Sequence, residues 1–207
     1  MSGKYIFSDE DYKSGDGMLT SVWGPPLWHT LHTISFNYPI NPTSEQKKQY
    51  FEFYNNLQNI LPCRYCRENL AKNLKELPLS MDAFKNRDSM SRYVYNLHEL
   101  INKMLGKISG LSYEDVRDRY EHFRSRCIAA KSTSTIEKGC TEPLYGVKSK
   151  CVLNIVPKDG RTKSFNMDPK CVLKKGGKKS SKKPSKKHSK KPSKKSSKKH
   201  SKKPSKK

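Results

Sequence analysis

The sequence predicts an all-α protein: a four-helix bundle with a fifth short helix, followed by a disordered basic tail. Three observations carry this. Apolar residues recur at three- and four-residue spacing almost continuously from Val22 to about Ala130. Proline, glycine and capping residues cut that stretch into helix-length pieces. No segment alternates convincingly with period two before Cys151-Val-Leu-Asn-Ile-Val.

Taken in order, residues 1 to about 20 are polar and read as a flexible leader. Pro25 and Pro26 suit the first turn of a helix that carries Trp28, Leu31, His32 and Ser35, until Pro39 stops it. Thr43 or Ser44 can cap a second helix with Tyr50, Phe53, Tyr54, Leu57 and Ile60 on one face. Pro62 breaks it, and a third helix carries Cys66, Leu70 and Leu74. A fourth runs from about Ser89 to Leu105, with Gly106 as its stop. Ser112, with Asp115 three residues on, opens a fifth through Val116, Tyr120 and Phe123. These helices make one domain at 21–130. Residues 131–173 read as a weakly structured, cysteine-containing extension with one short strand at Val152 to Val156.

Charge is distributed unevenly. The chain of 207 residues has 43 Lys+Arg against 19 Asp+Glu, a net +24. From Lys174 onward there are 18 lysines and no acid, which leaves about +6 for the first 173 residues. The segment 174–207 repeats Ser-Lys-Lys-x and has nothing to bury, so it is expected to be disordered. Such a run is an electrostatic ligand for nucleic acid or acidic proteins. No apolar run approaches the ~18 residues of a membrane span, and the N-terminus lacks the build of a signal peptide. A cytosolic location is expected, where six cysteines point to redox or metal use.

Cys63-Arg-Tyr-Cys66, between Pro62 and an apolar-periodic stretch, is a dithiol at a helix start. The unpaired N–H groups and positive dipole end there favour a thiolate, and Arg64 and Arg67 add positive charge. A thiolate attacks disulfides, which points to thiol–disulfide chemistry. A zinc site would need two further ligands, and there is no second CxxC: Cys127, Cys140, Cys151 and Cys171 are widely separated. His98-Glu99-Leu100-Ile101-Asn102 lacks the second histidine of HExxH, so no metal is expected. Trp28 and His32 lie one turn apart on one helix, and His98 and Asn102 repeat the arrangement on another, with Lys103 and Lys107 nearby. Singly, each pair is an ordinary helix feature; together, flanking a dithiol, they suit a planar cofactor with a charged pyrophosphate.

Trp23-Gly24-Pro-Pro-Leu-Trp28-His-Thr-Leu31-His32, then Tyr38-Pro39, then Cys63-Arg-Tyr-Cys66, then Leu97-His98-x-x-Ile101-Asn102-Lys103-x-Leu105-Gly106-Lys107 resemble, in order and spacing, the Erv/ALR family of FAD-linked sulfhydryl oxidases. The likeness covers roughly residues 22 to 127 and is strongest to versions encoded by large cytoplasmic DNA viruses. It implies a helical bundle with FAD at its mouth, usually a homodimer, that oxidises client protein thiols and passes electrons to O2, giving H2O2. By position, Cys63 would exchange with the client and Cys66 would face the flavin. Trp23, Gly24, Trp28, His32, Tyr38, His98, Ile101, Asn102, Lys103, Lys107 and Tyr120 would line the cofactor. Host cytoplasm or virion would be the setting. The family has His-Asn where this chain has His98-Glu99, often Trp where it has Tyr120, and a further disulfide for which Cys127 has no evident partner.

Two other readings stand beside this one. A thioredoxin-like reductase is disfavoured by the helical pattern around the dithiol. A basic nucleic-acid-binding or virion structural protein with an inert bundle is the alternative that the tail allows.

Overall fold

The computed structural model describes residues 8–126, 142–143, 147–157, 159, 168 and 171. Cys127, Cys140, most of the 131–173 extension and the whole 174–207 tail lie outside the described residues.

Among the described residues six α-helices follow one another: α1 (Asp9–Lys13), α2 (Thr20–Phe36), α3 (Ser44–Ile60), α4 (Arg64–Glu76), α5 (Arg87–Met104) and α6 (Tyr113–Glu121). A 3-10 turn, Met81–Phe84, separates α4 from α5. Local chemistry sets these boundaries. Thr43, Asn86 and Ser112 each cap a helix with a side-chain oxygen, and Gln46, Ser89 and Asp115 return the bond to the cap backbone. α5 ends as expected, with Gly106 at a φ of 65°, a left-handed conformation that costs glycine nothing.

α2 packs on α5, α3 on α4, and α6 on both α2 and α5. The core between them is built on Leu31, Tyr54, Leu57, Leu70, Met90 and Val94. Its buried tyrosines are also polar ties. Tyr54 Oη donates to the Leu31 carbonyl at 2.8 Å, joining α3 to α2. Tyr38, fully buried, donates to the Phe84 carbonyl at 2.9 Å. A smaller cluster of Phe36, Tyr113 and Val116 seats α6.

Three expectations are corrected. The leader is not loose throughout: Ser8 caps α1, and Met18 N–H donates to the Pro62 carbonyl at 2.7 Å. α2 begins at Thr20, so Pro25 and Pro26 are not in its first turn. The turn ahead of them is held by Val22 N–H on the Leu19 carbonyl at 2.9 Å and by Trp23 Nε1 on the Met18 carbonyl at 3.0 Å. The strand expected at Val152 to Val156 is absent from the described residues: Val152, Leu153 and Ile155 are exposed and pair with nothing as a ladder. The extended pairing that does form is antiparallel and two residues long, Ser125–Arg126 against Glu142–Pro143.

Candidate functional site

Helix α2 touches both halves of the site. Thr20, in its first turn, meets the dithiol; Trp28, His29 and His32, two to three turns on, meet α5 and α6. At 1.5 Å per residue, Thr20 and Trp28 are about 12 Å apart along the axis.

Cys63 is the N-cap of α4 in an extended conformation, φ −148°, and Cys66 follows in the first turn. Both are thiols and half-buried. Their acidities are pulled apart. Hydrogen bonds from the Cys66 thiol, and then from the Cys66 backbone N–H, draw Cys63 below the ordinary thiol range. Burial, foremost, pushes Cys66 above it. In the reduced pair the negative charge therefore favours Cys63, the sulfur that precedes the helix. The arginines contribute less than their positions suggest. Arg64 is drawn off to Glu68 at 3.6 Å and over the Tyr65 ring, and the Arg67 guanidinium donates to the Leu61 carbonyl.

The second half is a nest of rings. Trp28 and His98 stack with centroids 3.9 Å apart and planes within 5°. His32 Nε2 and His98 Nδ1 lie 3.0 Å apart, so one donates and the other accepts. Tyr120 stacks on His32 at 5.3 Å and brings its hydroxyl to His29 Nδ1 at 3.3 Å. Burial, reinforced by neighbouring His98, His29 and Arg119, drives the His32 pKa down to about 3. Burial also lowers His98 to about 4, against the opposing pull of Glu99. Both rings are neutral at pH 7. His32 Nδ1 is buried without a hydrogen-bond partner among the described residues. An orphaned ring nitrogen in such a place costs about 1–3 kcal/mol unless something else satisfies it.

The structure gathers Trp28, His32, His98 and Tyr120, but not every candidate joins them. Asn102 Nδ2 is taken by Glu99 Oε1 at 3.0 Å, beside the ring nest on α5. Lys103 and Lys107 are exposed at the end of that helix, and the Lys107 charge reaches His98. Trp23 is half-buried with its indole N–H on Met18. Gly24 is buried, yet an added Cβ would meet only Thr20 Cγ2 at 3.5 Å, so the helix does not itself require glycine there. Ile101 packs on the main core. Tyr38 departs furthest: its ring lies against Tyr50 and Phe84 and its hydroxyl is already used, which makes it a core residue here. A groove of about 440 Å³ lined by Phe36, Asn86, Arg87, Tyr113 and Arg117 includes neither the dithiol nor the histidine pair.

Sequence reasoning missed His29 and Thr20. His29, next to Trp28 in the sequence, stood in no aromatic–histidine pair at one-turn spacing and carried no signal. Thr20 lay in what reads as leader. Among the described residues no group of three or more His, Cys, Asp or Glu is placed to hold a metal ion, and no helix is long and apolar enough to cross a membrane. Cys151 is exposed and Cys171 half-buried.

Residues 25–121 match the Erv1 / Alr family. A probable FAD-linked sulfhydryl oxidase of Acanthamoeba polyphaga mimivirus is 35% identical over 90 residues, 44% of this chain and 63% of that one. The mitochondrial FAD-linked sulfhydryl oxidase of Saccharomyces cerevisiae is 30% identical over 96 residues, 46% of this chain and 49% of its own. An FAD-linked sulfhydryl oxidase of African swine fever virus is 27% identical over 120 residues, 58% of this chain and 91% of its own. The chain thus spans less than two thirds of the mimivirus and yeast proteins.

Proposed function

We propose that this chain, matched to the Erv1 / Alr family over residues 25–121, is an FAD-dependent thiol oxidase that makes disulfides in client proteins. One observation carries the reading: α2 meets both a dithiol of divided acidity on α4 and a nest of neutral rings with one orphaned histidine nitrogen. Names of relatives in a mimivirus, an African swine fever virus and yeast support the same chemistry, and the viral ones favour host cytoplasm or virion as its setting.

In the oxidised enzyme a client thiolate attacks Cys63 Sγ, the bond to Cys66 breaks, and the electron pair stays on Cys66. A second client thiolate then attacks the mixed disulfide at the client's sulfur and releases Cys63, leaving client disulfide and enzyme dithiol. FAD held by the ring nest would supply the two-electron acceptor for the enzyme dithiol, with O2 as the final acceptor and H2O2 as product. The ring nest fits such a group. Trp28, His98 and Tyr120 give flat ring surfaces, and His32 Nδ1 offers an unused hydrogen-bonding atom. Asn102 stands at the edge, and Lys103 and Lys107 supply cations for a pyrophosphate. Neutral histidines add no charge to the site. Tyr38 and Ile101 belong to the main core.

The test is purification under non-denaturing conditions, followed by dithiothreitol addition. The reading requires a yellow protein with a flavin spectrum, O2 uptake and peroxide in equal amount. A colourless protein that neither takes up added FAD nor consumes O2 with a dithiol overturns it.

A further inference from the structure

Thr20 stands where the leader meets the dithiol. Its Oγ1 lies 3.2 Å from Cys66 Sγ, across 46 residues of chain. The backbone ahead of it is fixed to the residues that precede Cys63. Met18 N–H donates to the Pro62 carbonyl at 2.7 Å, and the Met18 carbonyl accepts from Trp23 Nε1 at 3.0 Å. Gly17 presses against the same peptide: a Cβ there would stand 2.5 Å from the Pro62 oxygen and 3.1 Å from Cys63 Cα. Both obstacles are backbone and cannot swing aside, so this approach needs glycine. Segment 17–20 is a strap whose last residue is delivered to Cys66.

We propose that Thr20 is a positioning residue for thiol–disulfide exchange: its hydroxyl donates to Cys66 Sγ as that sulfur leaves, and Gly17 seats the strap that holds it there. The proposal rests on the thiol-oxidase reading. When a client thiolate forms its bond to Cys63 Sγ, the Cys63–Cys66 bond breaks and both of its electrons remain on Cys66. A thiolate has no proton to give, so in that state the contact has one direction, Thr20 to Cys66. A leaving sulfur whose thiolate is stabilised leaves faster. Burial and the neighbouring Cys63 thiol both disfavour the charge on Cys66, and Thr20, with the Cys66 backbone N–H, opposes them. Arg64 and Arg67, on the same helix, are engaged by Glu68 and the Leu61 carbonyl.

The test uses the full chain in a Cys63→Ser background, with Cys66 alkylation by iodoacetamide followed against pH by mass spectrometry of the Cys66 peptide. Thr20→Val, which keeps the shape and removes the hydroxyl, raises the alkylation midpoint by about one pH unit, the size expected for a hydrogen bond to a charged group. Thr20→Ser keeps the midpoint of the parent, and Gly17→Ala moves it in the direction of Thr20→Val. Circular dichroism of each variant confirms an intact bundle. An unchanged midpoint in Thr20→Val, or an equal rise in Thr20→Ser, overturns the proposal. The titration needs neither flavin nor O2. A shifted midpoint in a protein without thiol-driven O2 uptake therefore supports the Thr20 contact and removes the oxidase reading, and the converse pattern does the opposite.

Discussion

His32 Nε2 and His98 Nδ1 meet at 3.0 Å, tying α2 to α5 across 66 residues of chain, while the other nitrogen of His32 is buried with nothing to bond. The pair fixes the ring planes that Trp28 and Tyr120 stack upon. Removing either imidazole opens the nest and removes a polar anchor. His32→Ala or His98→Ala is expected to weaken FAD retention tenfold or more, about 1.4 kcal/mol, with the helical bundle intact. Flavin content per purified chain checks this, and stoichiometric FAD in both variants would misplace the pocket.

The same histidines make stability depend on pH. Their folded pKa values, about 3 and about 4, lie below the ordinary 6.5, so the unfolded chain binds more protons between those limits. Their contribution is fully present above pH 6.5 and is lost as pH falls toward 4. Between pH 7 and 5 each histidine is expected to remove up to about 2 kcal/mol of stability. Urea unfolding at the two pH values checks it, and His98→Gln should flatten the slope.

Tyr38 tests the boundary between core and site. Tyr38→Phe leaves the buried Phe84 carbonyl without its donor, so stability is expected to fall by about 1–3 kcal/mol. Flavin content should be unchanged, because the hydroxyl faces Phe84 and not the ring nest. Loss of flavin from a folded Tyr38→Phe protein would return this residue to the cofactor.

How much of this was legible follows from the range of each interaction. Thr43, Asn86, Ser112 and Gly106 act within one turn, so the helices from Thr43 onward could be read to within a few residues, even where the fourth starts at Arg87 rather than Ser89. Pro25 and Pro26 misled because the turn before them is stabilised by Trp23 and Met18, and Met18 in turn by Pro62. That contact spans the sequence gap between leader and dithiol, which no local pattern reveals. The ring nest was partly legible: Trp28, His32 and His98 stood in motifs and Tyr120 came from the family resemblance, whereas the placement of Tyr38 depends on Phe84, 46 residues away. Val152 to Val156 has strand composition, but composition supplies no partner strand.

The lysine tail is a separate electrostatic element, proposed as a tether to nucleic acid or acidic proteins. With 18 lysines and no aromatic residue from Lys174 onward, it should bind duplex DNA without sequence preference and release it as salt rises. Deleting 174–207 should abolish low-salt DNA binding and leave dithiol oxidation unchanged. Undiminished binding would remove the tether, and lost oxidation would make the tail part of the enzyme.

The central claim is that Cys63 and Cys66 act as one redox unit beside a bound flavin. The most direct measurement is dithiothreitol-driven O2 uptake by wild type, Cys63→Ser and Cys66→Ser, each at known FAD content. A dithiol closes and reopens only with both sulfurs, so each variant should keep its flavin and lose turnover by at least about a hundredfold. Turnover near the wild-type rate in either flavin-loaded variant would contradict the account.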